Sequence, residues 1–370
     1  MQKKLKQDSF KVSVAKKEDK DQYQKGRGAQ INTHNKFLKN KYLQDDVEAI
    51  DDWEITNVKT QYIEQNVKTI VNKVDSPDVG MAYSMNAYAG CEHGCIYCYA
   101  RNVHEYWGYS AGLDFERKII VKVNAPEMLR KQLKHPKWEV MPIMLSGNTD
   151  CYQPAEKKYK LSRQLLEVCN DFNQPVGMLT KNALITRDID ILQELARKKL
   201  VSTLISVTSF NEELRRTMEP RTSTASQRLQ AMEQLAKAGI PVGVMLGPMI
   251  PGLNDHELHR IMKAAADAGA TSTAYTFIRL NGAVKDIFHD WIYKNMPDRA
   301  DKVWHFIEES HAGKVNDSRW GLRMRGEGPI AHIIAQQYKK YGKLYGMNKE
   351  PVVLDTSLFK RAGGVQGKLF

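Results

Sequence analysis

Between residues 83 and 278, short apolar runs rich in Val, Ile and Met alternate with amphipathic segments of helix length. The main runs lie at 83–89, 140–145, 176–179, 201–207, 241–246 and 272–278, and a further short one, Ile119 to Val123, reads as an insertion within the first unit. Strands separated by helices cannot pair as hairpins. They pair in parallel, covered by the helices between them. Right-handed crossovers then leave two architectures, a doubly wound open sheet or a sheet that winds one way towards a barrel. The alternation alone does not choose between them.

Helices are expected from Cys95 to about Trp107, near 158–172 and 187–198, over Glu212 to Met218 and Ser226 to Ala238, and from Asp255 to Ala268. Asn124, Ala125, Pro126 and Glu127 read as a capped helix start with proline in the first turn. Residues 1–30 read as a disordered basic tail, 31–80 as a lead-in, 81–280 as the core, 281–345 as a helical extension and 346–370 as a second basic tail. The extension has apolar positions at helical spacing around Trp291, Trp304 and Ile307, and it is expected to close the open side of the sheet.

Three of the five cysteines fall within eight residues, in Gly90-Cys91-Glu92-His93-Gly94-Cys95-Ile96-Tyr97-Cys98-Tyr99, spaced C-x3-C-x2-C. Closely spaced thiolates are soft ligands for iron or zinc. Cys95 and Cys98 are three apart and share a face at a helix start, while Gly90 and Gly94 let the loop curl. Zinc would need His93 as a fourth ligand. Zinc motifs usually bring cysteines in separated pairs, and no second pair exists here. Cys169, among Leu165, Leu166, Val168 and Phe172, reads as an inert core thiol.

This loop, with Tyr97 before its last cysteine, resembles the signature of the radical S-adenosylmethionine (SAM) superfamily. Leu145 to Asp150, Leu179 to Asn182, Val207 to Phe210 and Pro248 to Asp255 are similar to its spore photoproduct lyase-like group, also described as DNA repair photolyase-like. The resemblance implies an α/β fold, the partial (β/α)6 TIM-type barrel, with an N-terminal lead-in and a C-terminal helical extension. It implies a [4Fe–4S] cluster on Cys91, Cys95 and Cys98, with SAM on the fourth iron. It further implies reductive cleavage of SAM to a 5′-deoxyadenosyl radical that abstracts a substrate hydrogen, driven by an external reductant of flavodoxin or ferredoxin type. The implied substrate is a DNA lesion. The alternatives are a nucleotide, an RNA or a protein side chain, or a non-catalytic, metal-stapled nucleic-acid-binding module.

In parallel sheets the chemistry sits at the carboxyl ends of strands. There, by the resemblance, Ser146, Gly147, Asn148 and Asp150 are candidates for cofactor contact, as are Thr180 and Ser206, with Tyr97 in the loop itself. Where the superfamily usually carries Gly-Gly-Glu this chain has Ser-Gly-Asn, so location carries over and identity does not. A capped helix start at 148–150 is the competing reading. Cys151 is the candidate catalytic residue, as a hydrogen-atom donor, with packing as its alternative.

Residues 1–41 carry 12 Lys/Arg against 4 Asp/Glu, and residues 339–370 carry 7 against 2. That surplus exceeds the net charge of +12, so the body between is close to neutral. Basic arms suit tethering to DNA; they also serve as solubilising tails. No run of about 18 apolar residues exists, so no membrane partner is expected, and free thiols suit the cytoplasm. The end of the chain, Gln366-Gly367-Lys368-Leu369-Phe370, resembles the short peptides that dock on the bacterial sliding clamp.

Overall fold

The computed structural model describes residues 24–37 and 59–361. Two strands, β1 (Gln61–Gln65) and β2 (Val71–Lys73), precede the repeating part. The first expected barrel strand is two strands, β3 (Tyr83–Met85) and β4 (Tyr88–Ala89). The break falls at Asn86, whose side-chain oxygen accepts the N–H groups of Asn148 and Thr149, at 2.8 and 3.2 Å. After the cysteine loop come α1 (Leu113–Arg117), β5 (Lys118–Lys122) and α2 (Ala125–Leu133). The alternation then runs β6 (Ile143–Leu145), α3 (Glu156–Tyr159), α4 (Leu161–Phe172), β7 (Val176–Thr180), α5 (Ile189–Arg197) and β8 (Val201–Ser206). It continues as α6 (Glu212–Met218), α7 (Ala225–Lys237), β9 (Val242–Met249), α8 (Leu258–Asp267) and β10 (Ser272–Phe277), and ends in α9 (Val284–Asn295), α10 (Pro297–Glu309) and α11 (Gly328–Leu344).

The main sheet has the order β10-β9-β8-β7-β6-β3-β2, with β3 and β6 to β10 all parallel and β2 antiparallel at the edge. Each parallel strand lands beside the one before it and the order never reverses. A doubly wound sheet reverses part-way, so this is the one-way winding of a partial (β/α)6 barrel. Strand β5 joins β1 and β4 in a separate three-stranded sheet, as an insertion should.

The two faces of the main sheet differ. Val176, Met178 and Thr180 are buried, as are the helix residues Leu165, Leu192 and Leu235 at 0% exposure. The alternate positions Met144, Gly177, Leu179, Leu204, Met245 and Ala274 share the concave face and are only half-buried. Six strands make an arc with a lumen open to one side.

Local departures from the expected elements have local causes. The segment after the cysteines is a 3-10 helix over Tyr99–Trp107, because the buried Arg101 guanidinium takes the Cys95 carbonyl (2.9 Å) that an α-helical turn would use. The helix near 158–172 is broken at Lys160 (φ 52°), and the buried Glu156 carboxylate then caps α4 by accepting the Ser162 N–H at 3.1 Å. Asn124 does not cap α2 with its side chain; it pairs with the N–H and C=O of Val67, at 2.9 and 3.0 Å.

Two tail boundaries are corrected. Residues 24–30 are packed, with Arg27 4% and Ala29 1% exposed, because the carboxylate that satisfies them is supplied by Glu116. Residues 346–361 dock on the body: the Asp355 N–H donates to Lys199 O (2.9 Å), the Lys360 N–H to Phe172 O (2.8 Å), and Phe359 stacks on Phe172. Residues 1–23 and the clamp-like Gln366–Phe370 lie outside the described residues. In the extension, the Tyr338 hydroxyl of α11 donates to Thr273 O (2.8 Å), so α11 covers the exposed edge of β10. Among the described residues no helix is long and apolar enough to cross a membrane.

Candidate active site

The cysteine loop leaves β4 at Gly90 and is pinned from both ends. The Cys91 N–H donates to Phe115 O (2.8 Å) and the Ile96 N–H to Met218 O (3.1 Å). Gln153, fully buried, brackets Cys91 by donating to Gly90 O (3.1 Å) and accepting the Glu92 N–H (3.0 Å). Arg101, fully buried, donates to Gly94 O (3.1 Å) and Cys95 O (2.9 Å) and pairs with Glu116 at 2.5 Å. Glu116 in turn accepts the N–H groups of Gly28 (3.0 Å) and Ala29 (2.8 Å). Residues 24–30 are thus a strap across the loop. Gly94 has φ +67°, the left-handed curl the loop requires.

On the sheet side Asp150 is the hub. Its carboxylate meets His93 Nδ1 at 3.3 Å and accepts the Thr180 hydroxyl (2.6 Å) and the Lys181 N–H (2.7 Å). Burial alone would raise this carboxyl; the charge and hydrogen bond of His93, with those of Thr180 and Lys181, outweigh it and hold it at about 2. His93 Nε2 lies 3.2 Å from the Asn182 amide nitrogen, so both ring nitrogens are engaged. A second hub, Glu219, accepts from the Tyr97 hydroxyl, from Thr208 (2.6 Å) and from Arg228 (2.6 Å). Burial would raise it too, yet Arg228, Lys181, Thr208 and Tyr97 bring it down to about 2. The Lys181 ammonium, 5.8 Å from the Tyr97 ring centroid, is raised despite burial by Cys95, Glu219 and Asp150.

The radical SAM superfamily matches the chain over residues 85–265. An uncharacterized protein of Mycobacterium tuberculosis is 33% identical over 238 residues, covering 64% of this chain and 70% of that one. The chain belongs to the radical SAM superfamily. The radical SAM Nalpha-GlyT isomerase of Pseudomonas phage M6 is 22% identical over 264 residues, 70% of this chain and 51% of that protein. Among solved structures, a spore photoproduct lyase mutant with bound AdoMet and dinucleoside spore photoproduct superposes with a TM-score of 0.58 at 17% identity, covering 79% of this chain and 82% of that one. At that identity the likeness is one of fold.

Membership of the radical SAM superfamily implies a [4Fe–4S] cluster and SAM, and the donor set fits. Cys91 and Cys95 are buried and Cys98 is half-buried. Burial, Asp150 and the other two sulfurs push the Cys91 thiol well above its ordinary range, and burial foremost takes Cys95 to about 12. A metal's positive charge would offset this and favour the Cys91 and Cys95 thiolates. Among the described residues no three His, Cys, Asp or Glu side chains already stand grouped as metal ligands. A fourth ligand from His93 would cost its bonds to Asp150 and Asn182. Three cysteines with no fourth ligand grouped beside them among the described residues suit a cluster with one open iron better than tetrahedral zinc.

The candidate cofactor contacts separate into two sets. Tyr97 and Thr180 are spent on Glu219 and Asp150, and Asp150 is spent on His93, Thr180 and Lys181, so these three brace the loop and the strand ends. Asp150 also accepts the Tyr152 N–H (2.9 Å), so it caps the turn that follows, as the competing reading expects, and it is not a free carboxylate. Ser146, at φ 92°, accepts the Cys151 N–H (2.9 Å), and Gly147 O accepts from the Tyr99 hydroxyl. Asn148 is exposed, and the Ser206 hydroxyl is buried without a partner at the end of β8. Cys151 is 3% exposed and sits in the core, not at the mouth, its thiol raised by burial and by Asp150. Arg101, Glu116, Gln153 and Glu219 belong to no local sequence motif, and their partners are brought to them by tertiary structure.

A cavity of about 950 Å³ opens at the edge of β10. It runs from lumen residues Met245 and Thr276 to Tyr275 and Tyr338, with Arg325 and Lys339 on its wall. Arg279, just beyond β10, is half-buried with its Nε unpartnered, and its charge couples to Arg323, Asp78 and Tyr99 of the cysteine loop. Arg323 lies 3.6 Å over the ring of Trp320, which is 54% exposed.

Proposed function

We propose that the protein is a radical SAM enzyme that holds a [4Fe–4S] cluster on Cys91, Cys95 and Cys98 and acts on a nucleobase lesion in DNA, in the manner of spore photoproduct lyase. The observation that carries this reading is a buried loop with three cysteines and, among the described residues, no further ligand grouped with them, in a fold whose lumen residues Met245 and Thr276 line an aromatic and cationic cavity. The fold shared with a spore photoproduct lyase bound to AdoMet and the relative named as a GlyT isomerase support it.

When bound, cluster and SAM supply one-electron cleavage of a sulfonium and a 5′-deoxyadenosyl radical that abstracts hydrogen. The chain's own residues position and shield. Gln153 and Arg101 fix the carbonyls and N–H groups of the loop that carries the three cysteines. Lys181 sets a positive charge against Cys95. Asn148 and the unpartnered Ser206 hydroxyl are the polar groups left at strand ends to meet the cofactor's ammonium, carboxylate or ribose. Met144, Leu179, Leu204 and Met245 give the lumen an apolar wall that excludes water from a reactive carbon radical. Arg279, Arg325 and Lys339 suit phosphate, and Trp320 suits a base.

The test is anaerobic reconstitution, iron and sulfide analysis, and cleavage of SAM with dithionite, followed by product analysis on ultraviolet-damaged DNA. About four irons per chain are expected. Cys91→Ala, Cys95→Ala and Cys98→Ala should each lose the brown cluster and all cleavage, while Cys169→Ala keeps both. Wild-type cleavage by any of the three variants overturns the ligand assignment. Cleavage of SAM without any change in damaged DNA overturns the substrate.

A further inference from the structure

A smaller cavity, of about 370 Å³, lies at the C-terminal end of α11 and joins the edge cavity, with which it shares Thr273, Tyr338 and Lys339. Lys339, Lys343 and Lys349 line it, and no carboxylate does. Its floor is fixed: Asn348 accepts the Thr273 N–H (2.9 Å) and donates to Thr273 O (2.8 Å), and the Tyr338 hydroxyl donates to the same carbonyl. Lys349 folds back over Gly346, where a Cβ would lie 2.9 Å from the lysine Cε and displace it. Exposed lysines on α7, α8 and α9 each sit one turn from a carboxylate, Lys237 beside Glu233, Lys263 beside Asp267 and Lys294 beside Asp290. From Gly328 to Lys349 there are four lysines and no Asp or Glu. Among the described residues the three ammonium groups of the cavity have no hydrogen bond and no ion pair. The acids of the edge cavity are spent, Asp78 on Arg323 and the Gly321 N–H and Glu327 on Arg319.

We propose that the two joined cavities are a track for the phosphodiester backbone beside the target base, so that the substrate is a polynucleotide strand and not a free nucleotide. The cations form a line rather than a cluster. Arg325 and Lys339 belong to the edge cavity, Lys343 follows one turn after Lys339, and Lys349 closes the far end. A single phosphate calls for donors that converge on a point, whereas a strand is held by cations along its length. From His332, in the edge cavity, to Lys343 the helix rises about 16 Å, the axial length of roughly five phosphates on one strand of a duplex. The edge cavity lies by the carboxyl end of β10, where the Phe277 N–H donates to Met324 O (2.8 Å), and the smaller one lies at the start of that strand, by Thr273. The track therefore leads down the sheet edge, away from the cysteine loop. An acidic polypeptide matches the charge, but only a nucleic acid carries bases and phosphates together. The inference rests on the nucleic-acid reading above, and its test needs neither lesion nor cluster.

The variant is Lys343→Glu with Lys349→Glu, two exposed side chains outside the cysteine loop and its braces. Lys285→Glu with Lys302→Glu, on α9 and α10, makes the same charge change away from both cavities. The probes are labelled, lesion-free oligothymidylates of three and twelve nucleotides, followed by fluorescence anisotropy across a salt series. Wild-type protein should bind the longer probe more tightly, with an affinity that falls with salt. The variant should bind it about tenfold more weakly at about 0.1 M salt, with a slope of log affinity against log salt shallower by about 1.4, the share of two phosphates on a single strand. The shorter probe should lose much less, and the control pair should match the wild type. Equal binding of the longer probe by wild type and variant, an equal loss in the control pair, or equal losses on both probes overturns the track. A polyglutamate that binds as tightly as the longer probe, and loses as much in the variant, overturns it in favour of an acidic polypeptide. The expected binding pattern in a protein that cleaves no SAM, or leaves damaged DNA unchanged, upholds the track and overturns the enzymatic or the lesion reading instead.

Discussion

Gly28 and Gly94 approach so closely that a Cβ placed on Gly28 would lie 1.8 Å from the Gly94 carbonyl oxygen. The strap and the cysteine loop therefore touch backbone to backbone. The contact is locked on both sides, because Glu116 accepts the Gly28 N–H while Arg101 holds both Glu116 and the Gly94 carbonyl.

Gly28→Ala should loosen the loop that offers the three sulfurs. The methyl cannot be accommodated by a side-chain rotation, since backbone lies opposite, so either the strap lifts or the loop moves. A loss of roughly 1–3 kcal/mol in stability is expected. Iron content per chain should be lower and the cluster should bleach faster in air, with the far-ultraviolet circular dichroism unchanged. Gly80→Ala is the control, because a Cβ there meets nothing within 4 Å. Equal iron content and bleaching rate in the two variants would sink the idea that the strap secures the loop.

The strand alternation was legible because parallel β/α units repeat a local pattern: the strands from Ile143 to Phe277 each overlap an expected run, although β7 continues to Thr180 and β9 to Met249, beyond the runs at 176–179 and 241–246. Their winding order was not. It depends on which side of the growing sheet each crossover lands, and both candidate architectures share the same local periodicity. The cysteine loop was legible from eight residues. Its supports were not, because Glu116 lies 88 residues from Gly28 and Gln153 lies 61 from Glu92. Arg27 illustrates the difficulty: within a Lys- and Gly-rich run it reads as solvated, and only tertiary structure supplies the groups that bury it. Asp150 misleads in the same way. Its local bond to the Tyr152 N–H is that of an ordinary turn, while its partner Thr180 is 30 residues further on and outside any local window.

Glu219 should make the fold acid-labile in a defined window. Its carboxyl is held at about 2 against an ordinary 4.5, so the unfolded chain takes up the proton first. The contribution is full above about pH 4.5 and is lost as pH falls through about 2. It is worth roughly 3 kcal/mol. Glu219→Gln removes this dependence and leaves the buried Arg228 without its counter-ion, a loss of roughly 3–5 kcal/mol at neutral pH. Urea midpoints of the apoprotein measured across that window should slope in the wild type and flatten in the variant. The same slope in both would show that Glu219 titrates normally.

Cys151→Ala should change little. The thiol is 3% exposed in the core, its backbone is held by Ser146 and Ser162, and burial keeps it neutral. Cluster assembly and SAM cleavage should persist, with a stability loss of about 1 kcal/mol for the vacated sulfur. Product analysis is the decisive readout. A change in product identity or yield, with SAM cleavage intact, would return Cys151 to the role of hydrogen-atom donor.

Trp320 is the side chain on which binding of a base should depend. Its ring is 54% exposed and open to a stacking partner. It is also held still. The Arg323 guanidinium lies 3.6 Å over the ring and is itself fixed by Asp78 (2.5 Å) and Ser76 (2.7 Å). An ordered, exposed aromatic beside the edge cavity is a stacking surface for an unpaired or damaged base. Stacking on such a ring is worth about 1–3 kcal/mol, so Trp320→Ala should weaken binding of lesion-containing DNA by roughly tenfold to a hundredfold. Tryptophan neutralises no phosphate, so the slope of log affinity against log salt should stay the same while the whole line drops. Trp320→Phe should recover part of the loss. Dithionite-driven SAM cleavage without DNA should be unaffected, since the ring lies outside the cysteine loop and its braces. An unchanged affinity in Trp320→Ala, or a loss that comes with an altered salt slope, would remove Trp320 as the base platform.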